Sequence, residues 1–348
     1  MAKIHGLVSG EGEPTPHDAH LGRAYGKTTA AMGRARKCGG HGGALSPPVG
    51  RYLYDSWAAP HAQLGAVAWG QQKGSAVTRL DALQVVAATR ILDTSTQVPH
   101  DAARELMGMV RPDHQRQQAC ARYARHVEAQ EPASLLHRVW NAPQPGGEHA
   151  VTRPLKETAD AAVADWGLDL TESPTTFKAN ARKAAREASR RTYASGVRTG
   201  EQAALLGEVQ GEVLGGMAPY LRTLVPDHLA RGRALKSKLL LGVSDTAVDT
   251  QRRQNVPHDR RCCPMLGCAL LVEDARHFVV GCPARRRLVS ALRDDIGRAG
   301  ESRDQFFKRV MSPGFGGRGQ EADAAHLYKH LQRCEDTRRR ALAPRGGR

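Results

Sequence analysis

The sequence predicts a mainly α-helical protein, built from several small helical units with a compact cysteine-rich module towards its C-terminal end and flexible tails on both sides. Three observations carry this. Apolar residues recur at three- and four-residue steps over long stretches of the 348-residue chain. Only 40% of residues are apolar and 5% aromatic; since burial is worth about 25 cal/mol per Å², such small side chains favour several modest helical packings over one large core. Four of the seven cysteines crowd into "RRCCPMLGCALLVEDARHFVVGCPARRR", Arg260 to Arg287.

Taken in order, residues 1–50 are rich in Gly, Pro, His and Lys/Arg and read as a flexible basic arm. Cys38 and His41 are two isolated ligands in a Gly-rich run and carry no metal prediction. Residues 51–140 read as helical. Leu80, Leu83, Ala87 and Ile91 share a face, and "TSTQVP" ends that helix because Pro99 disfavours α geometry at Val98. Ala103, Leu106, Met107 and Val110 mark a second face, ended by Pro112. Cys120, Tyr123 and Val127 mark a third, and Leu135, Leu136, Val139 and Trp140 a fourth. Cys120 fits a core position, packing like a small hydrophobe. Residues 141–177, beginning "NAPQPGGEH", read as a linker, with Trp166 and Leu168 near a turn.

Residues 178–250 form a basic helical region. Lys178, Arg182, Lys183, Arg186 and Arg190 follow helical spacing and share a face, either plainly solvated or able to contact phosphates. Gly196 suits a helix C-terminus. "HLARGRALKSKLLLGV" resumes helix into the cysteine module, which spans 251–300 with its following helix; Leu288, Leu292 and Ile296 give that helix an apolar stripe. The last section, 301–348, holds the helix "EADAAHLYKHLQRCEDTRRRAL" and a frayed tail.

The module's spacing is Cys263-x4-Cys268-x8-His277-x4-Cys282. Three thiolates and an imidazole make a tetrahedral structural zinc shell, and Cys262 is an alternative first ligand. "PMLG" supplies a tight turn between the first two cysteines. Asp274 can cap a short helix carrying His277, Gly281 can end it in the left-handed region, and Pro283 can start the next. The expected fold class is therefore mainly α with a zinc knuckle. Zn2+ in such a site contributes an apparent ~10–16 kcal/mol at neutral pH. With four ligands and no HExxH arrangement, the predicted role is structural.

The formal charge of +16 points to a polyanionic partner, RNA or DNA. Chelation would draw Arg260 and Arg261 towards Arg285, Arg286 and Arg287, with Arg252 and Arg253 upstream, into one phosphate-contacting surface. No signal peptide and no membrane-length apolar run are visible. The expectation is an intracellular protein of nucleus or cytoplasm, neither secreted nor membrane-bound, with its cysteines reduced or metal-bound.

The module resembles the zinc-binding segment near the C-terminus of non-LTR retrotransposon reverse transcriptases, where a "C..C....EDE.HFL..CP....R" pattern recurs. Here it stands as "CPMLGCALLVEDARHFVVGCPARRR". The family usually separates its first pair by two residues, against four here, or five from Cys262. "LKSKLLLGVSDTAVDTQRRQNVPHDRRC" and, more loosely, "AVAWGQQKGSAVTRLDALQVVAATRIL" extend the likeness across roughly residues 60–340, strongest over 238–288. The resemblance implies nucleic-acid binding by a C-terminal part detached from its polymerase, with a separately encoded polymerase as a partner.

No Tyr/Phe-x-Asp-Asp turn is found. Asp294 and Asp295 lie on an amphipathic helix and read as a solvated face, and the sequence offers no endonuclease constellation after the knuckle. His61, His126 and His137 have no visible nucleophile partner, and the Gly-rich runs lack a P-loop lysine. The expected role is non-catalytic. The alternatives are a zinc-braced protein-interaction module, using an apolar groove in 76–140, and a decayed reading frame without selected function.

Overall fold

A computed structural model describes residues 46–60, 75–94, 97–142, 152–199, 204–210, 216–223, 225–252, 254–268 and 271–343, with a few positions between 22 and 33. Helices dominate. Among the described residues the only β pairing is an isolated antiparallel bridge, Cys262 to Val272. Most of the arm expected over 1–50 lies outside the described residues, but helix α1 begins inside it, at Pro47 (Pro47–Leu53). Proline suits a first helical turn because its missing N–H would have no intrahelical partner there. A π turn, Tyr54–Ala58, continues it.

Helix α2 (Ser75–Leu92) ends before the "TSTQVP" break, and α3 (His100–Met107) begins directly after Pro99. Gly108 closes α3 with φ +60°, and a Cβ there would meet the Gly216 backbone at 2.2 Å. Only glycine satisfies both constraints. Helices α4 (Pro112–Glu128) and α5 (Leu135–Asn141) follow. On α5 Trp140 is buried and Leu136 packs half-buried against the same cluster, while Leu135 and Val139 are exposed, so half of the apolar face expected there is used.

The stretch expected as a linker contains helix α6, Thr152–Trp166. Leu155, Ala159 and Ala162 line its buried side against Cys120, Ala121 and Ala124 of α4. Small residues at helical spacing let two backbones approach, a signal that average hydrophobicity underweights. Gly167, at φ +60°, then turns the chain. Helix α7 (Pro174–Thr199) runs through Gly196 instead of ending at it. Phe177 and Ala181 join the α4–α6 packing, and Tyr193 donates its hydroxyl to the Met109 carbonyl at 2.7 Å.

The main core is built by α1–α3, α8 (Ala204–Gln210), α9 (Pro219–Arg222), α10 (Asp227–Leu240), α12 (Arg286–Ile296), α13 (Arg303–Met311) and α14 (Glu321–Leu342). Helix α11 (Ala247–Arg252) leads into the cysteine module. Helix α14 buries Ala324, Leu327, Tyr328, Leu331 and Cys334 on one stripe against α10 and α12; each leucine so buried contributes about 1.5–3 kcal/mol. Its crossing with α10 is close, since a Cβ on Gly232 would lie 2.3 Å from the Tyr328 carbonyl oxygen. Helix α13 was not expected. It starts from a capping box in which the Ser302 hydroxyl accepts from the Gln305 N–H while the Gln305 side chain accepts from the Ser302 N–H. Phe306, Phe307, Val310 and Met311 then enter the core. No helix among the described residues is long and apolar enough to cross a membrane.

Candidate metal centre

The knuckle is assembled by local chemistry. Cys263 N–H donates to Leu271 O at 2.8 Å and Glu273 N–H to Arg261 O at 2.9 Å, closing a short hairpin around "CPMLGC". Gly267 takes φ +82° at the tip, and Cys268 N–H donates back to Met265 O at 3.0 Å. The turn therefore aims two sulfurs at the same point.

The second half is pinned differently. The Asp274 carboxylate accepts the His277 N–H at 2.6 Å, capping the next turn. Phe278, Val279 and Val280 sink into the main core, fixing that turn's rotation and with it the imidazole. The segment winds as a π turn, His277–Gly281, and Cys282 leaves it extended at φ −71°, ψ 116°. Gly281 is not left-handed, contrary to the expected C-cap; the wider turn brings Cys282 round without a positive φ. Pro283–Arg285 forms a 3-10 turn that starts α12.

These two halves bring Cys263, Cys268, His277 and Cys282 together. One ligand atom from each lies within 4.8 Å of the others, and all four residues are buried. The sulfurs of Cys268 and Cys282 are 3.5 Å apart. A tetrahedral shell with bonds near 2.3 Å separates its ligands by about 3.8 Å, so the spacing fits a single ion. A second observation agrees: among the described residues, the buried His277 Nε2 makes no hydrogen bond outside the cluster. Such orphaned atoms are rare in proteins unless an ion or water meets them. The donor set, three sulfurs and one nitrogen, is a closed structural type. The Cys282 thiol is pushed down by a hydrogen bond from Cys263, with a hydrogen bond from His277 and the Arg285 guanidinium acting in the same sense. Cys263 is pushed up correspondingly. Cys262 stands outside the cluster, half-buried, its sulfur 3.8 Å from the Asp259 carbonyl.

The arginines divide sharply. Arg260, Arg286 and Arg287 are exposed. Arg261 is half-buried and commits its guanidinium to the Val256 and Val248 carbonyls; Arg252 donates to Gly242 O at 2.8 Å. Arg253 lies outside the described residues. Arg285 corrects the expectation outright. It is 2% exposed, stacks on the Phe278 ring and donates to Phe278 O at 3.0 Å. It cannot reach a phosphate. The 3-10 turn ahead of α12 points it inward, where its counterion waits.

That counterion is Glu273, which the sequence reading missed. It is fully buried and pairs with Arg285 at 3.2 Å and with Arg338 of α14 at 2.9 Å. It also accepts the Ala247 N–H at the start of α11 at 2.9 Å, and its Oε1 lies 3.9 Å from the Cys263 sulfur. One carboxylate thus ties the knuckle to α11, α12 and α14. Its only sequence signal is an acid placed directly before the capping Asp274.

Fold and site together define a mainly helical protein with a buried Cys3His group that can hold a metal ion. No protein-family model, no curated protein and no solved structure matches the chain.

Proposed function

We propose that the chain is a non-catalytic nucleic-acid-binding protein whose knuckle is held by zinc, derived from the C-terminal part of a non-LTR retrotransposon reverse transcriptase and acting beside a separately encoded polymerase. The observation that carries this is the convergence, within 4.8 Å, of three buried sulfurs and an imidazole nitrogen that has no partner outside the cluster among the described residues. Zinc favours a Cys3His donor set of this kind. Around it, Arg260, Arg286 and Arg287 stand free at the surface of a chain with net charge +16, a disposition suited to phosphate contact. Zinc would brace the hairpin against the π turn and so set the distance between Arg260 and the start of α12. The test is nucleic-acid affinity of the intact protein with zinc present and after chelation, with Arg286→Gln and Arg287→Gln compared at two salt concentrations. Affinity that ignores both chelation and these substitutions contradicts the proposal.

One observation favours a second reading, a zinc-braced protein-interaction module. Leu266 at the knuckle tip is 81% exposed, and Leu271 of the same hairpin is also exposed. Leu266→Ser would abolish partner capture under that reading and leave nucleic-acid affinity unchanged.

A further inference from the structure

Helix α7 carries a cationic face that its own fold leaves unused. From Lys178 to Arg191 the sequence holds six basic residues against one acid, Glu187. Lys178, Arg182, Lys183, Arg186 and Arg191 are all exposed, and none makes an ion pair among the described residues. The opposite side of the helix is fixed: Phe177, Ala181, Ala185 and Tyr193 are buried. Packing against α3, α4 and α8 therefore holds the cations outward on a rigid rod. At 1.5 Å rise per residue, Lys178 to Arg191 spans about 20 Å.

We infer that this face of α7 binds the phosphate backbone of double-stranded nucleic acid without regard to sequence. Three features select that partner. No aromatic side chain lies on the exposed face, and single strands are gripped largely by stacking on aromatics. The one carboxamide on this side, Asn180, is held by the Glu172 carboxylate at 2.9 and 3.0 Å, so no amide there is free to pair with an adenine edge. The helix's apolar side is spent on its neighbours, so it has nothing to sink into a bilayer as a membrane-surface helix would. The cations spread round the exposed arc, from Lys178 and Arg182 on one flank to Lys183 and Arg191 on the other, so a helix lying along a groove could meet phosphates on both walls. Three of the five are arginines, whose planar forks suit phosphate oxygens.

This surface rests on the same nucleic-acid reading as the knuckle but on none of its residues and none of its metal. The experiment measures fluorescence anisotropy of a labelled mixed-sequence DNA duplex with the full chain across a series of NaCl concentrations. The variants are Lys178→Gln/Arg182→Gln/Lys183→Gln/Arg186→Gln/Arg191→Gln and, separately, Arg260→Gln/Arg286→Gln/Arg287→Gln. All these positions are exposed, and circular dichroism checks that each variant keeps its helix content. Each duplex phosphate contact contributes about 0.9 to the slope of log K against log salt, so losing five flattens it by up to roughly 4.5. The α7 variant is expected to lose most of the wild-type slope, with or without a chelator. A slope unchanged in the α7 variant overturns the inference. If only the knuckle variant weakens binding, the inference fails and the proposed function stands. If binding survives chelation and the knuckle variant but not the α7 variant, the inference stands and the knuckle reading fails. Binding to phosphatidylserine vesicles but not to duplex overturns it in favour of a membrane surface.

Discussion

Glu273→Gln is the most informative single substitution in the fold. The carboxylate has no solvent exposure and is the only acid among the described residues that pairs with both buried cations, Arg285 at 3.2 Å and Arg338 at 2.9 Å. Glutamine keeps the volume and one carbonyl for the Ala247 N–H but removes the charge. Arg285 is then left in the interior without a carboxylate, against the Phe278 carbonyl and ring and the Cys334 thiol. Breaking a buried pair by removing one partner costs about 3–5 kcal/mol, because the surviving charge stays desolvated. At a urea slope of ~2 kcal/mol per M, the unfolding midpoint should fall by roughly 1.5–2.5 M. Urea titration followed by circular dichroism, with metal content held constant, gives that number. The triple variant Glu273→Leu/Arg285→Met/Arg338→Met should recover most of the loss, since apolar replacements remove the stranded charges as well. A Glu273→Gln midpoint within error of wild type would refute the view that this carboxylate ties the knuckle to the helices.

Three further outcomes follow from particular contacts. Cys263→Ser should abolish metal binding while Cys262→Ser leaves it intact, as read by metal content of the purified variants, because only the former sulfur points into the cluster. Gly232→Ala should destabilise by about 1–3 kcal/mol in a denaturant titration, since the added methyl meets the Tyr328 backbone and forces α10 and α14 apart. His330 is buried with Nε2 2.8 Å from Val279 O, and burial lowers its pKa below the ordinary value of 6.5. The unfolded chain therefore binds the proton more readily, so stability present above pH 6.5 is lost as pH falls through and below it, by at most about 1.4 kcal/mol per pH unit. His330→Gln should show less of that acid loss in a pH series of melts; an identical pH profile would count against it.

How much of this could be read from the chain depends on how local the determining interactions are. The knuckle was legible because its parts are neighbours: the "PMLG" turn, the Asp274 cap and Pro283 all act within a few residues. Helix α14 was legible because its apolar stripe, Ala324 to Cys334, repeats over about three turns with strong helix formers between. Helix α6 was not, because Ala159 and Ala162 carry its packing and alanine looks the same in a linker. Helix α13 was not legible either: its start signal is confined to the four residues of the Ser302–Gln305 capping box, and the Gly-rich run after it has the composition of a tail. Arg285 is the instructive failure. In sequence it is indistinguishable from Arg286 and Arg287. What turns it inward is Glu273, 12 residues earlier, and what completes the site is Arg338, 65 residues from that carboxylate. Choosing Cys263 over Cys262 likewise needed the hairpin register, which a one-residue slip would reverse.

Native mass spectrometry of the intact, reduced protein bears most directly on the Cys3His centre. One zinc ion per chain is expected, lost in both Cys268→Ser and His277→Ala. A metal-free mass after zinc supplementation, or wild-type zinc in either variant, would contradict the assignment of those four side chains.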